Sequence, residues 1–385
     1  MKIIINAASI FKGGAEQVVN SFINECRGFP ENEYHIFLCD NIREVLDTEM
    51  FEGNFYFYRL DKRPGSNLYT LYNTLKYFND LEAVIQPDVV ISTGGHGYWR
   101  PKAPLVTAFN IPHYVYPESP YFQKISIKRK LYWKLKKAID LFLYKKSDAI
   151  IVQTDDVKQR VQKLLPNIQV YTVSNTINGV FTDPIKVGNK LAERNGKETR
   201  LLTVSANYPH KNLEIIKSVI PELLDRGIDS IKFILTLPED DFLDTFGDSK
   251  YHAYVLNVGP IPIEECPALY EECDFMFLPT LLECFSASYV EAMYMNKPIL
   301  TSNLAFAKAV CKKAAIYFDP LNASEIANKI QKVILDSHIQ QSLIKEGQKT
   351  LSQFNTPKER AGRFLSICRA VSDINFACKN EEYVY

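Results

Sequence analysis

Asp274-Phe275-Met276-Phe277-Leu278-Pro279-Thr280-Leu281-Leu282-Glu283-Cys284-Phe285-Ser286-Ala287-Ser288-Tyr289-Val290-Glu291-Ala292-Met293 reads as a buried strand, a loop and the opening of a helix. Phe275 to Leu278 is apolar throughout, as a strand covered on both faces requires. Ser286 suits the N-cap of a helix that ends near Asn296-Lys297-Pro298. The first-turn amides of such a helix donate to an anion, and a diphosphate is the natural occupant. Glu283 falls in the loop and Glu291 in the second helical turn, so the two carboxylates flank one ligand from different sides. Carboxylates accept the vicinal hydroxyls of a ribose or a hexose. Two solvated acids favoured by the helix macrodipole are the competing reading of the pair taken alone.

The same alternation of short β-branched runs and helical segments fills the rest of the chain, the pattern of parallel sheets with crossover helices. Strands are expected at Ile3–Asn6, Tyr34–Cys39, Asn54–Tyr58, Asp88–Ser92, Leu105–Phe109, Ala149–Gln153 and Gln169–Val173. A looser stretch, Ser174 to Glu198, carries the turn pairs Asn178-Gly179, Asp183-Pro184 and Asn195-Gly196. A second series follows at Arg200–Ser205, Lys232–Thr236, Tyr254–Val258, Phe275–Leu278, Ile299–Thr301 and Ala315–Phe318. The expected organisation is an α/β chain of two Rossmann-like domains, 1–178 and 179–355, facing each other across a cleft that holds the ligand. Pro357 interrupts before a last amphipathic stretch, and 356–385 is expected to cross back to the first domain.

The 385 residues suit two cores. The N-terminal apolar run is too short for a secretory leader, and no stretch nears the ~18 apolar residues of a membrane span. Eight scattered cysteines, without C-x-x-C pairs or histidine partners, are expected to be buried reduced thiols of a cytoplasmic protein. The 45 basic and 45 acidic residues balance, which argues against nucleic acid as a partner. No Asp-x-Asp stands at a strand end, so no metal is expected. Between Lys124 and Lys146, however, nine basic residues accompany a single acid, Asp140. There Ile127, Leu131, Leu135, Ala138, Ile139 and Phe142 keep helical spacing opposite Lys124, Lys128, Arg129, Lys130, Lys134, Lys136 and Lys137. The expectation is a helix whose apolar side joins the core and whose basic face, across 124–146, meets an anionic membrane surface.

Thr203 to Leu213 reads as a strand, a turn and a helix start, with Lys211 placed to neutralise the phosphate charge of a leaving group. Gly13-Gly14, after the first strand, allows close backbone approach to a phosphate or sugar. His113, beyond Leu105–Phe109, and His96, in Thr93-Gly94-Gly95-His96-Gly97, compete as the histidine at the edge of the first sheet. Each of these has a plainer reading as a turn or surface residue.

The Glu283-to-Glu291 segment resembles the Glu-x7-Glu signature of the family 4 retaining glycosyltransferases of GT-B fold, of the kind used in cell-surface polysaccharide and O-antigen assembly. The order of the other parts is similar across nearly the whole chain. The resemblance implies that Glu291 holds the donor ribose, that Glu283 lies by the transferred sugar, and that Lys211, Gly13, Gly14 and the amides of Ser286, Ala287 and Ser288 hold the diphosphate. It further implies donor contacts at Asn207, Phe285 and Gly259, the last beside the base, and sugar contact by His113 or His96. The family's Gly-Phe-Gly is Cys284-Phe285-Ser286 here, and its phosphate-binding arginine is replaced by Ala206 or Asn207. The implied activity is retaining transfer of a sugar from a UDP- or GDP-sugar to a glycan or lipid-linked acceptor, without metal or cofactor, at the cytoplasmic face of a membrane. A nucleotide-sugar epimerase or a catalytically silent glycan-binding protein would carry many of the same features.

Overall fold

The computed structural model describes residues 1–382 except 11–13, 40–45, 61–63, 65 and 195, and gives the backbone alone for 375–382. The chain divides into two compact units. One comprises Met1–Val115, Ser126–Thr176 and Asn355–Tyr385; the other comprises Tyr116–Ile125 and Ile177–Phe354.

The first unit is built on seven parallel strands: β1 (Lys2–Asn6), β2 (Glu33–Cys39), β3 (Phe55–Leu60), β4 (Val89–Ser92), β5 (Leu105–Ala108), β6 (Ala149–Val152) and β7 (Gln169–Thr172). Their order is β3-β2-β1-β4-β5-β6-β7. Side chains alternate across the sheet, so β1 feeds two cores. Ile3 and Ile5 pack with Val19, Phe22 and Ile23 of the helix Gly14–Cys26 and with Ala361, Leu365 and Cys368 of the last helix, Pro357–Glu382. Ile4 turns to the opposite face, with Phe37, Phe78, Ile85 and Trp99. Pro357 opens the last helix rather than interrupting a pattern. Thr356 and Glu359 exchange hydrogen bonds as a capping box, with Pro357 at the first helical position, where its missing N–H costs nothing.

The second unit repeats the plan with β8 (Thr199–Thr203), β9 (Ile231–Leu235), β10 (Val255–Asn257), β11 (Phe275–Leu278), β12 (Ile299–Ser302) and β13 (Ala315–Phe318), in the order β10-β9-β8-β11-β12-β13. All thirteen strands coincide with the apolar runs, to within a residue or two at their ends. Each sheet reverses its order beside its first strand, between β1 and β4 in one unit and between β8 and β11 in the other. Ligands of open parallel sheets sit at such a switch point, beyond the strand C-termini. The loops after β1, β4, β8 and β11 are therefore the ones placed at a switch point. The seven described cysteines are buried and form no disulfide.

The helix Ile127–Tyr144 corrects the expectation for the basic segment. Its apolar stripe does not join the core: Ile127 is 83% exposed, Leu131 65%, Leu135 63%, Ile139 52% and Phe142 63%. The face turned inward carries Trp133, Lys136, Asp140 and Tyr144, of which Asp140 and Tyr144 are buried. Periodicity finds two faces of a helix but not which of them packs. Here the polar one packs because its carboxylate is fully hydrogen-bonded. Nor do the cations form one open face. Lys124 lies in the second unit and pairs with Glu214 at 2.7 Å. Lys136 bonds Asp140, and Lys137 donates to the Tyr114 carbonyl at 2.8 Å.

Candidate active site

In the second unit the loops after β8 and β11 are tied together. The Leu281 N–H donates to the His210 carbonyl at 2.7 Å, and the Thr280 hydroxyl donates to the same oxygen at 3.1 Å. This brings the Lys211 ammonium and the Glu283 carboxylate into a direct, mostly buried ion pair, which the Thr280 hydroxyl also joins at 3.2 Å. Asn212 fixes the turn that presents Lys211. It adopts left-handed backbone, φ 57°, which asparagine tolerates better than most residues. Its buried amide donates to the carbonyls of Pro279 at 3.3 Å and Pro320 at 2.9 Å, while its oxygen accepts from Lys124 at 2.6 Å. Sequence reasoning missed Asn212, although an asparagine directly after Lys211 was the available signal.

The helix Ala287–Tyr294 begins beyond this loop with Ser286 at its N-cap, as expected, but the Ser286 side chain makes no cap hydrogen bond. The Tyr289 N–H is taken by the Ser286 carbonyl at 3.2 Å, so the Ala287 and Ser288 amides have no capping side chain. One turn further on, Glu291 is 6% exposed. It accepts one hydrogen bond, from the Tyr270 hydroxyl at 3.2 Å. Burial pushes its carboxyl up to about 7, against the pull of that bond. A buried carboxylate with one donor has acceptor capacity left for incoming hydroxyls.

The remaining expected residues are spread around these loops. Asn207 is already engaged, donating to Thr245 Oγ1 at 3.1 Å and to the Asp241 carbonyl at 3.4 Å. Phe285 packs edge-on against Phe354 at 5.9 Å between ring centroids. Gly259 has φ +76° in open space, a conformation that suits glycine. Cys284 is buried, and that burial holds its thiol well above the usual range. Gly14 opens the helix after β1 with nothing near its Cα hydrogens, and Gly13 lies outside the described residues.

The first unit holds a cavity of about 330 Å³ beyond β4 and β5, and both competing histidines line it, with Ser9, Trp133, Lys136 and Asp140. His113 stacks on Trp133, with 3.6 Å between ring centroids. His96 Nδ1 accepts the Tyr98 N–H at 3.3 Å, which puts the ring proton on Nε2, 3.2 Å from Asp140 Oδ1. Asp140 also accepts from the Tyr114 hydroxyl at 2.6 Å and from Lys136 at 2.5 Å. Burial raises its pKa, but the bonds from His96, Lys136 and Tyr114 prevail and lower it to about 2. Backbone freedom builds the loop: Gly95 and Gly97 have φ of +92° and +58°, and a Cβ on Gly94 would come within 2.9 Å of Ile10. Among the described residues no three His, Cys, Asp or Glu side chains are grouped to hold a metal.

Comparison with known proteins agrees with this architecture. Residues 12–178 match the family model described as Glycosyltransferase Family 4, and residues 189–350 match Glycosyl transferases group 1. An O-antigen chain mannosyltransferase of Salmonella typhimurium is 22% identical over 221 residues. The chain spans about half the length of this curated relative, 56%, and the match covers 56% of the chain itself. Among solved structures, sucrose-phosphate synthase from Thermosynechococcus elongatus aligns with a TM-score of 0.77 at 16% identity, covering 96% of this chain and 99% of that one. HepE of Anabaena, solved with UDP and glucose, aligns with a TM-score of 0.70 at 16% identity, over 95% and 99% of the two chains. A glycosyltransferase from Rickettsia africae gives 0.68 at 14% identity, over 96% and 98%. These likenesses are of fold.

Proposed function

We propose, because this chain belongs to the family 4 glycosyltransferases, that it moves a sugar from a nucleotide-sugar donor to a glycan or lipid-linked acceptor in the assembly of a cell-surface polysaccharide. The observation that carries the reading is Glu291, buried one turn into the helix beyond the β8/β11 switch point, with a single hydrogen-bond donor. Two ribose hydroxyls supply the donors it lacks. The diphosphate takes the Ala287 and Ser288 amides and draws Lys211 toward it from Glu283, which is left to meet hydroxyls of the transferred sugar. With phosphate charge met by amides and one ammonium, the reaction needs no metal.

Transfer proceeds with retention, by substitution on the face from which the nucleotide leaves. The bond from the anomeric carbon to the phosphate oxygen breaks as the acceptor oxygen bonds to that carbon, and the departing phosphate takes the acceptor proton. Lys211 stabilises the negative charge that develops on this phosphate. The cavity with His96 and His113 takes the acceptor side. Asp140 is no nucleophile here, since three hydrogen bonds occupy it, and it acts as the positioning residue that holds the His96 ring.

A thermal-shift screen of UDP-, GDP- and ADP-sugars identifies the donor, and proton NMR of the product formed from it reads the anomeric configuration. Stabilisation by a UDP- or GDP-sugar, with retained configuration and undiminished turnover in excess chelator, is the expected result. Conversion of the donor to an epimer without acceptor makes the chain an epimerase, and an inverted product overturns the retaining mechanism. Stabilisation by sugars without turnover leaves a glycan-binding protein.

A further inference from the structure

The exposed stripe on Ile127–Tyr144 is unusual for a water-facing helix. Ile127, Leu131, Leu135, Ala138, Ile139 and Phe142 all fall within an arc of about 120° at 100° per residue, and all are exposed. Exposed lysines accompany it: Lys128 lies within the arc beside its Ile139 edge, with Tyr132 just outside that edge, Lys130 and Lys134 lie on the other side, and Lys145 and Lys146 lie at its C-terminal end. Lys146 reaches over the Phe142 ring at 5.1 Å, the arrangement of an aliphatic stem lying along apolar surface with its charge at the rim. A contiguous apolar band of this kind, rimmed by polar groups, marks an interaction surface.

We infer that this helix lies in the surface of an anionic bilayer, with the stripe inserted among the acyl chains and the bordering lysines at the headgroups. Charge complementarity selects the occupant. Lys128, Arg129, Lys130, Lys134, Lys145 and Lys146 are exposed on and just beyond the helix, while the one acid of the segment, Asp140, is buried and already bonded to Lys136. Two copies of the helix meeting stripe to stripe would bring like-charged rims together, whereas anionic headgroups neutralise them. This differs from adsorption by a basic face, because six apolar residues fill the outward arc and Lys128 is the one cation among them. It also gives the helix a second use. Its inner face supplies Trp133, Lys136, Asp140 and Tyr144 to the cavity, so one helix diameter, about 10 Å, separates the cavity wall from the lipid. The inference deepens the proposed action on a lipid-linked acceptor and rests on that reading for its purpose, though membrane binding itself requires no substrate.

The full chain is tested by co-sedimentation with vesicles of mixed phosphatidylglycerol and phosphatidylcholine, at low and high salt. Leu131→Gln/Leu135→Gln removes apolar surface without changing charge, and Lys128→Gln/Lys134→Gln does the reverse. All four residues are exposed, so both variants fold, which circular dichroism verifies. The parent is expected to bind at low salt and to retain part of its binding at high salt, where charge is screened. The leucine variant should bind at least about tenfold more weakly at both salts. The lysine variant should lose binding at low salt and approach the parent at high salt. With Leu135→Trp, acyl-chain brominated lipid should quench the added fluorescence beyond that of the parent. Failure of the parent to sediment, equal binding by the leucine variant, or a dimer that the leucine substitutions dissolve would each overturn the inference. Turnover of a water-soluble acceptor by the leucine variant at the parental rate separates this outcome from failure of the proposed function.

Discussion

Glu291 and Asp140 are both helix carboxylates, one in each unit, and both are buried, at 6% and 2% exposure. Their acidities nevertheless depart from the ordinary range in opposite directions, Glu291 to about 7 and Asp140 to about 2. The difference lies in the number of donors. Asp140 receives hydrogen bonds from His96, Lys136 and Tyr114, which together outweigh the cost of burial. Glu291 receives one, from Tyr270, and burial wins. A satisfied buried carboxylate holds its neighbours in place, whereas an unsatisfied one carries a cost until a ligand supplies the missing donors.

The largest effect should come from the satisfied member. Asp140→Asn leaves the Lys136 ammonium beside a neutral amide and removes a charged acceptor from His96 and Tyr114. A loss of about 4 kcal/mol in urea unfolding is expected, by analogy with other buried ion pairs broken on one side. The native contribution linked to the Asp140 charge is present above its unfolded pKa near 3.8 and is lost as pH falls through 2, so the gap between parent and variant should narrow by about 2 kcal/mol in strong acid. A variant as stable as the parent at pH 7 would remove the contrast between the two groups.

Next in size, Lys211→Ala should lower kcat about a hundredfold at saturating donor, the usual cost of removing one group that meets developing oxyanion charge. An unchanged kcat would leave the Lys211–Glu283 pair as a brace between the loops after β8 and β11. Smaller again is the effect of Glu291→Gln on the free protein, and its sign is reversed. Below pH 4.5 the carboxyl is neutral in both folded and unfolded chains, and nothing is lost. As pH rises from 4.5 to 7 the unfolded chain gives up its proton before the folded one does, so the parent loses stability over that window. The loss reaches about 3 kcal/mol above pH 7. Glu291→Gln escapes it and should melt above the parent at pH 8, with the gap closing near pH 4.5. A variant that melts below the parent at pH 8 would mean that the native carboxylate is already satisfied.

The same contrast explains what was legible in the sequence. Parallel strands buried on both faces stand out as apolar runs, so the two sheets were readable throughout, and the Glu283–Glu291 segment declared itself because strand, loop and helix are contiguous. Asp140 was not readable in that way. Its partners His96 and Tyr114 are 44 and 26 residues away, brought to it by the sheet order and by the face on which Ile127–Tyr144 packs. That face was misjudged because hydropathy places apolar residues inward, whereas this helix buries a paired carboxylate and exposes its leucines. The local clue was a lone acid in a run of nine bases. Asn212 was missed for a different reason: its left-handed backbone, not a side chain aimed at ligand, sets the position of Lys211.

If Glu291 awaits the hydroxyls of the donor, calorimetry of nucleotide-sugar binding between pH 5.5 and 8.5 will register the change in its protonation. Hydroxyls that donate to the carboxylate favour its charged form, so binding below pH 7 should release a proton. Affinity should then rise by up to about tenfold per pH unit before levelling off above pH 7. Glu291→Gln should bind more weakly at high pH, with this pH dependence gone. An affinity that is flat across the range in the parent and equal in Glu291→Gln would contradict the assignment of Glu291 to the donor.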